Sequence, residues 1–138
     1  MIHKKMILVV DDDPDNFEIM RELFGDDYNV ATATDGWEAI HMAADIRPDI
    51  ILLDVKLPGM DGVSVCRKLR ALRALWNNRI IILSGMALPS ERLAGINAGA
   101  DAYMTKPFEE SELRGAIRRL LDLPWDEASS CNFRSSTA

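Results

Sequence analysis

Three consecutive aspartates, Asp11, Asp12 and Asp13, follow directly on an apolar run at residues 6–10, and a second apolar run, residues 50–53, ends on Asp54. Later apolar runs end on residues of complementary chemistry: Ser84 follows residues 80–83, and Lys106 follows residues 102–105. Carboxylates brought together raise one another's pKa unless a cation compensates, and hard oxygen donors suit Mg2+ better than any softer metal. A carboxylate can also act as a nucleophile toward a phosphoryl group, but two anions must first be brought together, which requires positive charge. Magnesium on the neighbouring carboxylates and a lysine ammonium would neutralise the phosphoryl oxygens, while a small hydroxyl donates to one of them. Asp54 as acceptor, Asp12 on the metal, and Lys106 and Ser84 on the phosphoryl oxygens fill those roles.

The chemistry requires elements that bring these residues to one place. Apolar strand-like runs alternate with helix-like periodicity: strands at 6–10, 28–33, 50–54, 80–83 and 102–105, helices at 14–24, 36–46, 62–75, 90–98 and 109–121. Continuous apolar runs suit strands buried on both faces, as in a parallel sheet. The alternation predicts an α/β fold, a doubly wound, flavodoxin-like, five-stranded parallel sheet of order 2-1-3-4-5 with five helices. Its topological switch point lies between strands 1 and 3, whose carboxyl ends carry Asp11 to Asp13 and Asp54. Boundary signals agree: Asp13-Pro14 opens one helix, Arg47-Pro48 closes another, and Glu109-Glu110 and Arg118-Arg119 match the dipole of the last.

The chain has 138 residues, the size of one domain, and a formal net charge of −6 that argues against nucleic acid as a direct partner. Cys66 and Cys131 sit in unlike contexts, one in a helical pattern and one in a polar segment, so a reducing, cytoplasmic compartment is expected. The apolar run behind the amino terminus is too short for a signal peptide or a membrane span, so no membrane association is expected. Periodicity lapses after Leu121. The expected organisation is one domain over residues 1–121 and a polar, serine-rich tail or linker stub over 122–138.

Four stretches together, Val9-Val10-Asp11-Asp12-Asp13-Pro14, Leu52-Leu53-Asp54-Val55-Lys56-Leu57-Pro58-Gly59-Met60-Asp61-Gly62, Leu83-Ser84-Gly85 and Tyr103-Met104-Thr105-Lys106-Pro107-Phe108, resemble the receiver domain of bacterial two-component response regulators. The resemblance covers residues 5 to 121. It implies a phosphorylation-dependent switch that takes a phosphoryl group onto Asp54 from a sensor histidine kinase or a histidine phosphotransfer protein, and no enzyme beyond its own phosphorylation and dephosphorylation. It further implies that Asp11, Asp12, Asp54 and the Lys56 carbonyl hold Mg2+, that Ser84, Gly85 and Lys106 bind the phosphoryl group, and that Lys106-Pro107 is cis. Ser84 and Tyr103 would form a switch pair acting on the face made by the fourth helix, fifth strand and fifth helix, where a homodimer could form. Lys56 and Met86 occupy the variable positions two residues beyond Asp54 and Ser84. Serine at 84, where the family has threonine, keeps the hydroxyl and drops one methyl.

Each signal alone has a bland reading. An aspartate run is commonly a solvated loop or helix cap, Lys-Pro a turn, and Leu-Pro-Gly-Met-Asp-Gly turn chemistry with glycines at positive φ. Their joint occurrence at the ends of successive strands favours the receiver reading. The rival of another class is an aspartate-nucleophile phosphatase of the haloacid dehalogenase type, whose Asp-x-Asp spacing Asp11 to Asp13 matches, although Pro14-Asp15 departs from its motif. A phosphorylation-independent pseudo-receiver is a third reading, opposed by the intact acidic, hydroxyl and lysine set. His3 and His41 have no partner at ligand spacing. Cys66 reads as a small core residue, Trp37 and Trp76 as rings straddling core and water, and Trp125 and Phe133 as aromatics that could dock from the tail.

Overall fold

The computed structural model describes residues 4–72, 78–85 and 88–122. His3, Trp76, Met86 and the segment from residue 123, with Trp125, Cys131 and Phe133, lie outside the described residues. Strands and helices alternate as β1 (Met6–Val10), α1 (Pro14–Phe24), β2 (Asn29–Ala33), α2 (Gly36–Ile46), β3 (Ile50–Asp54), α3 (Gly62–Arg70), β4 (Arg79–Ser84), α4 (Pro89–Asn97), β5 (Ala102–Thr105) and α5 (Glu110–Asp122). The five strands form one sheet of order β2-β1-β3-β4-β5, and every pairing is parallel. This is the expected flavodoxin-like arrangement.

Side chains of a strand alternate between faces, and the two cores divide accordingly. Ile7, Val9, Ile50, Leu52, Ile81 and Leu83 pack with Phe17, Met20 and Phe24 of α1 and Leu113, Ile117 and Leu120 of α5. Leu8, Val10, Ile51, Leu53, Ile80 and Ile82 pack on the other face with Ala39 and Ala43 of α2, Val65 and Leu69 of α3, and Ala98. The central strands are fully buried, with Ile50 to Leu53 and Ile80 to Ile82 at 0 % exposure. Each such side chain contributes roughly 1.5–3 kcal/mol on burial, so the strand ends project from the most rigid part of the molecule.

Helix starts follow local chemistry. Asp13, Asp35 and Asp61 cap α1, α2 and α3, their side chains accepting from the N–H groups of Asp15, Glu38 and Ser64. Arg47 ends α2 in the left-handed region at φ 48, with Pro48 preventing continuation. The helical spacing through Leu72 and Leu75 suggests a helix reaching residue 75; α3 ends at Arg70, and Leu75 lies outside the described residues. The helix ends at Arg70 because the Ala71 N–H is shared by the carbonyls of Arg67 and Lys68, and Leu72 N–H turns back to Leu69. Leu72 still packs against the core after the helix stops. Cys66 is a small buried core residue, as expected, its thiol donating to the Ala98 carbonyl at 3.6 Å, whereas Trp37 is 57 % exposed beneath the Lys68 ammonium instead of straddling core and water.

Gly62 permits a close approach that the sequence reading assigned to positive φ. A Cβ there would lie 2.4 Å from the Asp54 carbonyl oxygen and 2.7 Å from Val55 Cα, whereas positive φ belongs to Gly59. Backbone cannot yield as a flexible side chain can. Gly62→Ala is therefore expected to destabilise the fold by about 2 kcal/mol, the scale of overpacking, and urea denaturation measures it. An unchanged midpoint would contradict the packing of α3 against the end of β3.

Candidate functional site

Register sets the site. Val10 pairs with Leu53 across β1 and β3, so Asp11 and Asp54 emerge side by side where the strands end. On the other flank of β3, Asp54 pairs with Leu83, and Ser84 pairs with Thr105, so Ser84 and Lys106 complete the rim. The Lys106 N–H donates to the Ser84 carbonyl at 2.6 Å, tying the ends of β4 and β5 together. The Lys106-Pro107 bond is cis, as the resemblance implied.

Lys106 Nζ stands 3.4 Å from Asp54 Oδ2 and 4.0 Å from Asp11 Oδ2. One oxygen from each of Asp11, Asp12 and Asp54 falls within 4.8 Å of the others. Ligands of an octahedral Mg2+ lie at most about 4.2 Å apart, so small side-chain adjustments would bring all three onto one ion, and carboxylate oxygens are the donors it prefers. Burial pushes the Asp11 carboxyl above the ordinary carboxylate range, and the nearby Asp54 charge adds to the rise. The Asp13 N–H, the Asn16 side chain and Lys106 act in the opposite direction. A buried carboxylate beside two others is a donor set that a cation would stabilise.

Strand alternation distributes the groups over two clefts. Asp11, Asp54 and Lys106 line one of about 490 Å³ with apolar walls from Ile19, Met20 and Phe108. Asp12, Lys56 and Ser84 line another of about 500 Å³ with Val55, Leu57, Pro58, Asp61 and Glu91. The Lys56 N–H donates to Asp54 Oδ1 at 3.2 Å, which orients the carboxylate from its own loop. Ser84 is only 2 % exposed, and Gly85 beside it lies on the surface. Tyr103 lies behind this rim at 3 % exposure, its hydroxyl 3.5 Å from Glu91 Oε2 and its ring under the Arg92 guanidinium.

The structure thus brings Asp11, Asp12, Asp54 and Lys106 together, seats Ser84 on the adjoining wall, and buries Tyr103 in β5. Sequence reasoning missed Asn16, whose side-chain amide donates to Asp11 Oδ2 at 2.8 Å. No signal in the sequence singles it out, because an asparagine in the first turn of a helix reads as cap chemistry until the strand end that it faces is known.

Residues 7–118 match the family model described as response regulator receiver domain. The chain belongs to that family. This receiver is 44 % identical over 133 residues to the response regulator MprA of Mycobacterium bovis BCG, covering 94 % of this chain and 57 % of that protein. With MprA of Mycobacterium leprae the identity is 46 % over 116 residues, covering 83 % of this chain and 50 % of the relative. The chain therefore spans about half the length of the curated relatives it matches. Among solved structures, the CheY-like receiver domain protein of Methanospirillum hungatei superposes with a TM-score of 0.81 at 30 % identity, covering 87 % of this chain and 95 % of that one. The receiver domain of the sensor histidine kinase PA1611 of Pseudomonas aeruginosa gives a TM-score of 0.80 at 33 % identity, covering 88 % and 100 %. That structure has a magnesium ion coordinated in its active site cleft. Membership is consistent with a phosphorylation-dependent signalling switch, and none of these relatives supports the dehalogenase-type phosphatase. Among the described residues no helix is long and apolar enough to cross a membrane.

Proposed function

We propose that residues 1–121 accept a phosphoryl group on Asp54 from the phosphohistidine of a sensor kinase or a phosphotransfer protein, with 122–138 serving as a tail or linker. The observation that carries this reading is the placement of Lys106 Nζ 3.4 Å from Asp54 Oδ2 within a cluster of three carboxylates. An Asp54 carboxylate oxygen attacks phosphorus, the P–N bond to the donor imidazole breaks, and the released nitrogen keeps its electron pair and takes a proton. The product is an acyl phosphate, and hydrolysis by water returns the free carboxylate and inorganic phosphate. Asp11, Asp12, Asp54 and the Lys56 carbonyl would hold Mg2+, which when bound supplies positive charge against the phosphoryl oxygens. Lys106, the Ser84 hydroxyl and Gly85 bind those oxygens, so the chain's own groups position the donor and screen its charge. The protein turns over no other substrate and works in the cytoplasm, a compartment supported by two cysteines whose unlike sequence contexts do not suggest a structural bridge.

The readout is a change at the face of α4, β5 and α5. Ser84 follows the new phosphate, Tyr103 responds behind it, and the face alters its affinity for a protein partner or a second copy of the chain. Leu88 and Leu93, 49 % and 60 % exposed at α4, support an apolar contact there. Intact-mass analysis with acetyl phosphate tests the proposal: one phosphoryl adduct is expected with Mg2+ and none after chelation. An unmodified protein in the presence of Mg2+ would contradict it.

Lys56 sets the lifetime of the phosphorylated state. Its side chain lines the cleft that also holds Asp12 and Ser84, and a long apolar stem there can shield the acyl phosphate from water. Lys56→Ala is expected to speed dephosphorylation several-fold, followed by the decay of the adduct. An unchanged decay rate would rule out shielding by Lys56.

A further inference from the structure

We propose that Asn16 is the positioning residue for Asp11, fixing its carboxylate in the orientation that lets Asp11, Asp12 and Asp54 converge on one divalent cation. The inference rests on the magnesium reading of the acidic cluster and adds a residue to it.

Both oxygens of Asp11 are held by the start of α1. The Asp13 N–H donates to Oδ1 at 3.0 Å, and the Asn16 side-chain amide donates to Oδ2 at 2.8 Å. Asn16 is itself anchored. Its N–H donates to the Asp13 carbonyl at 3.1 Å, and Pro14 occupies the first turn behind the Asp13 cap. In a capping box, the third helical residue is an acceptor that reaches back to the N–H of the cap. Asn16 is the third helical residue of α1, but it presents a donor sideways to Asp11, and Asp11 accepts the Asp13 N–H that a capping box would have used. The first turn of α1 is therefore built around the Asp11 carboxylate. Without Asn16, Asp11 Oδ2 still has the Lys106 ammonium 4.0 Å away, and a carboxylate drawn toward that ammonium is drawn from its place in the cluster.

Partners that orient metal-binding side chains through hydrogen bonds typically account for 10- to 100-fold in metal affinity. Asn16→Leu keeps the side-chain size and removes the donor, and Asn16→Ala provides a second variant at the same half-buried position. Mn2+ binding to the full chain, read by electron paramagnetic resonance, is expected to weaken about tenfold in each while circular dichroism stays unchanged. The decisive comparison is a double-mutant cycle. The Asn16→Leu penalty should persist in an Asp12→Asn background and vanish in an Asp11→Asn background, because the residue acts through Asp11 alone. Equal Mn2+ affinity of wild type and both Asn16 variants would overturn the inference, as would an undiminished penalty in the Asp11→Asn background. Failure of the wild type to bind Mn2+ would instead overturn the metal reading, so the two failures are distinguishable.

Discussion

Lys106→Met is expected to slow phosphoryl uptake at position 54 by about 10²- to 10³-fold, the loss that follows removal of one preorganised electrostatic donor from a transition state. Methionine retains most of the apolar stem, so packing beside Phe108 changes little. The effect on folding should be much smaller. Two unit charges at the 3.4 Å separation of Lys106 and Asp54 attract by roughly 5 kcal/mol at an effective dielectric near 20. The Lys106 side chain is 34 % exposed, however, and solvent screening brings the net contribution to about 1 kcal/mol. The contrast between a large kinetic loss and a small stability loss is the signature of a group placed for chemistry. Adduct formation with acetyl phosphate, followed by mass, and urea denaturation measure the two separately. Phosphorylation of the variant at the wild-type rate would contradict the role given to Lys106.

Asp11→Asn should stabilise the metal-free protein at neutral pH and remove most of the stability that Mg2+ confers, leaving weaker binding through Asp12 and Asp54. Burial, and then Asp54, raise the Asp11 pKa in the folded state above its ordinary value of 3.8. A raised pKa means that the folded state holds the proton more tightly than the unfolded chain does. The contribution of this group is therefore full below 3.8 and is lost as pH rises through the folded-state pKa, so ionised Asp11 is a cost at neutral pH. Asparagine keeps the size and removes that cost. Bound Mg2+ offsets the same cost in the wild type, by about 2.7 kcal/mol at a concentration one hundred times its dissociation constant. Urea unfolding at neutral and acidic pH, with and without Mg2+, checks both halves. The variant should lose the Asp11 part of the pH dependence and most of the Mg2+ response, and a wild-type Mg2+ response in the variant would contradict the assignment.

The order of the sheet was legible because continuous apolar runs ending on carboxylates can be read without knowing any partner. The parallel register then places Asp11 beside Asp54, which topology alone predicts. Lys106 and Ser84 were legible for the same reason, since each directly ends a strand. Asn16 was not, because asparagine in the first turn of a helix is ordinary cap and turn chemistry until the strand end it faces is known. The role of Gly62 was likewise hidden, as only the folded chain shows the Asp54 carbonyl crowding its missing Cβ.

The opposite pole of the sheet also escaped the sequence. Arg70 of α3 bonds the carbonyls of Gly99 and Asn78 and forms an ion pair with Asp101, while buried Arg79 donates to the Leu120 carbonyl. Residues 70 and 101 stand far apart in the chain, and no local pattern joins them. Burial pushes the Arg79 pKa down, opposed by the Asp101 charge, so this strand-initiating arginine is held by partners that only tertiary structure supplies. The early end of α3 at Arg70 was hidden for a local reason, because the apolar spacing continues through Leu72 while the backbone N–H groups of Ala71 and Leu72 turn to carbonyls three residues back.

Chemical mapping of the modified residue tests the central claim most directly. The protein is treated with acetyl phosphate and Mg2+, the acyl phosphate is reduced with borohydride, and the peptides are sequenced by mass spectrometry. Reduction confined to position 54 is the predicted result. Reduction at position 11 instead, or no reduced residue in a folded, Mg2+-loaded protein, would contradict the account.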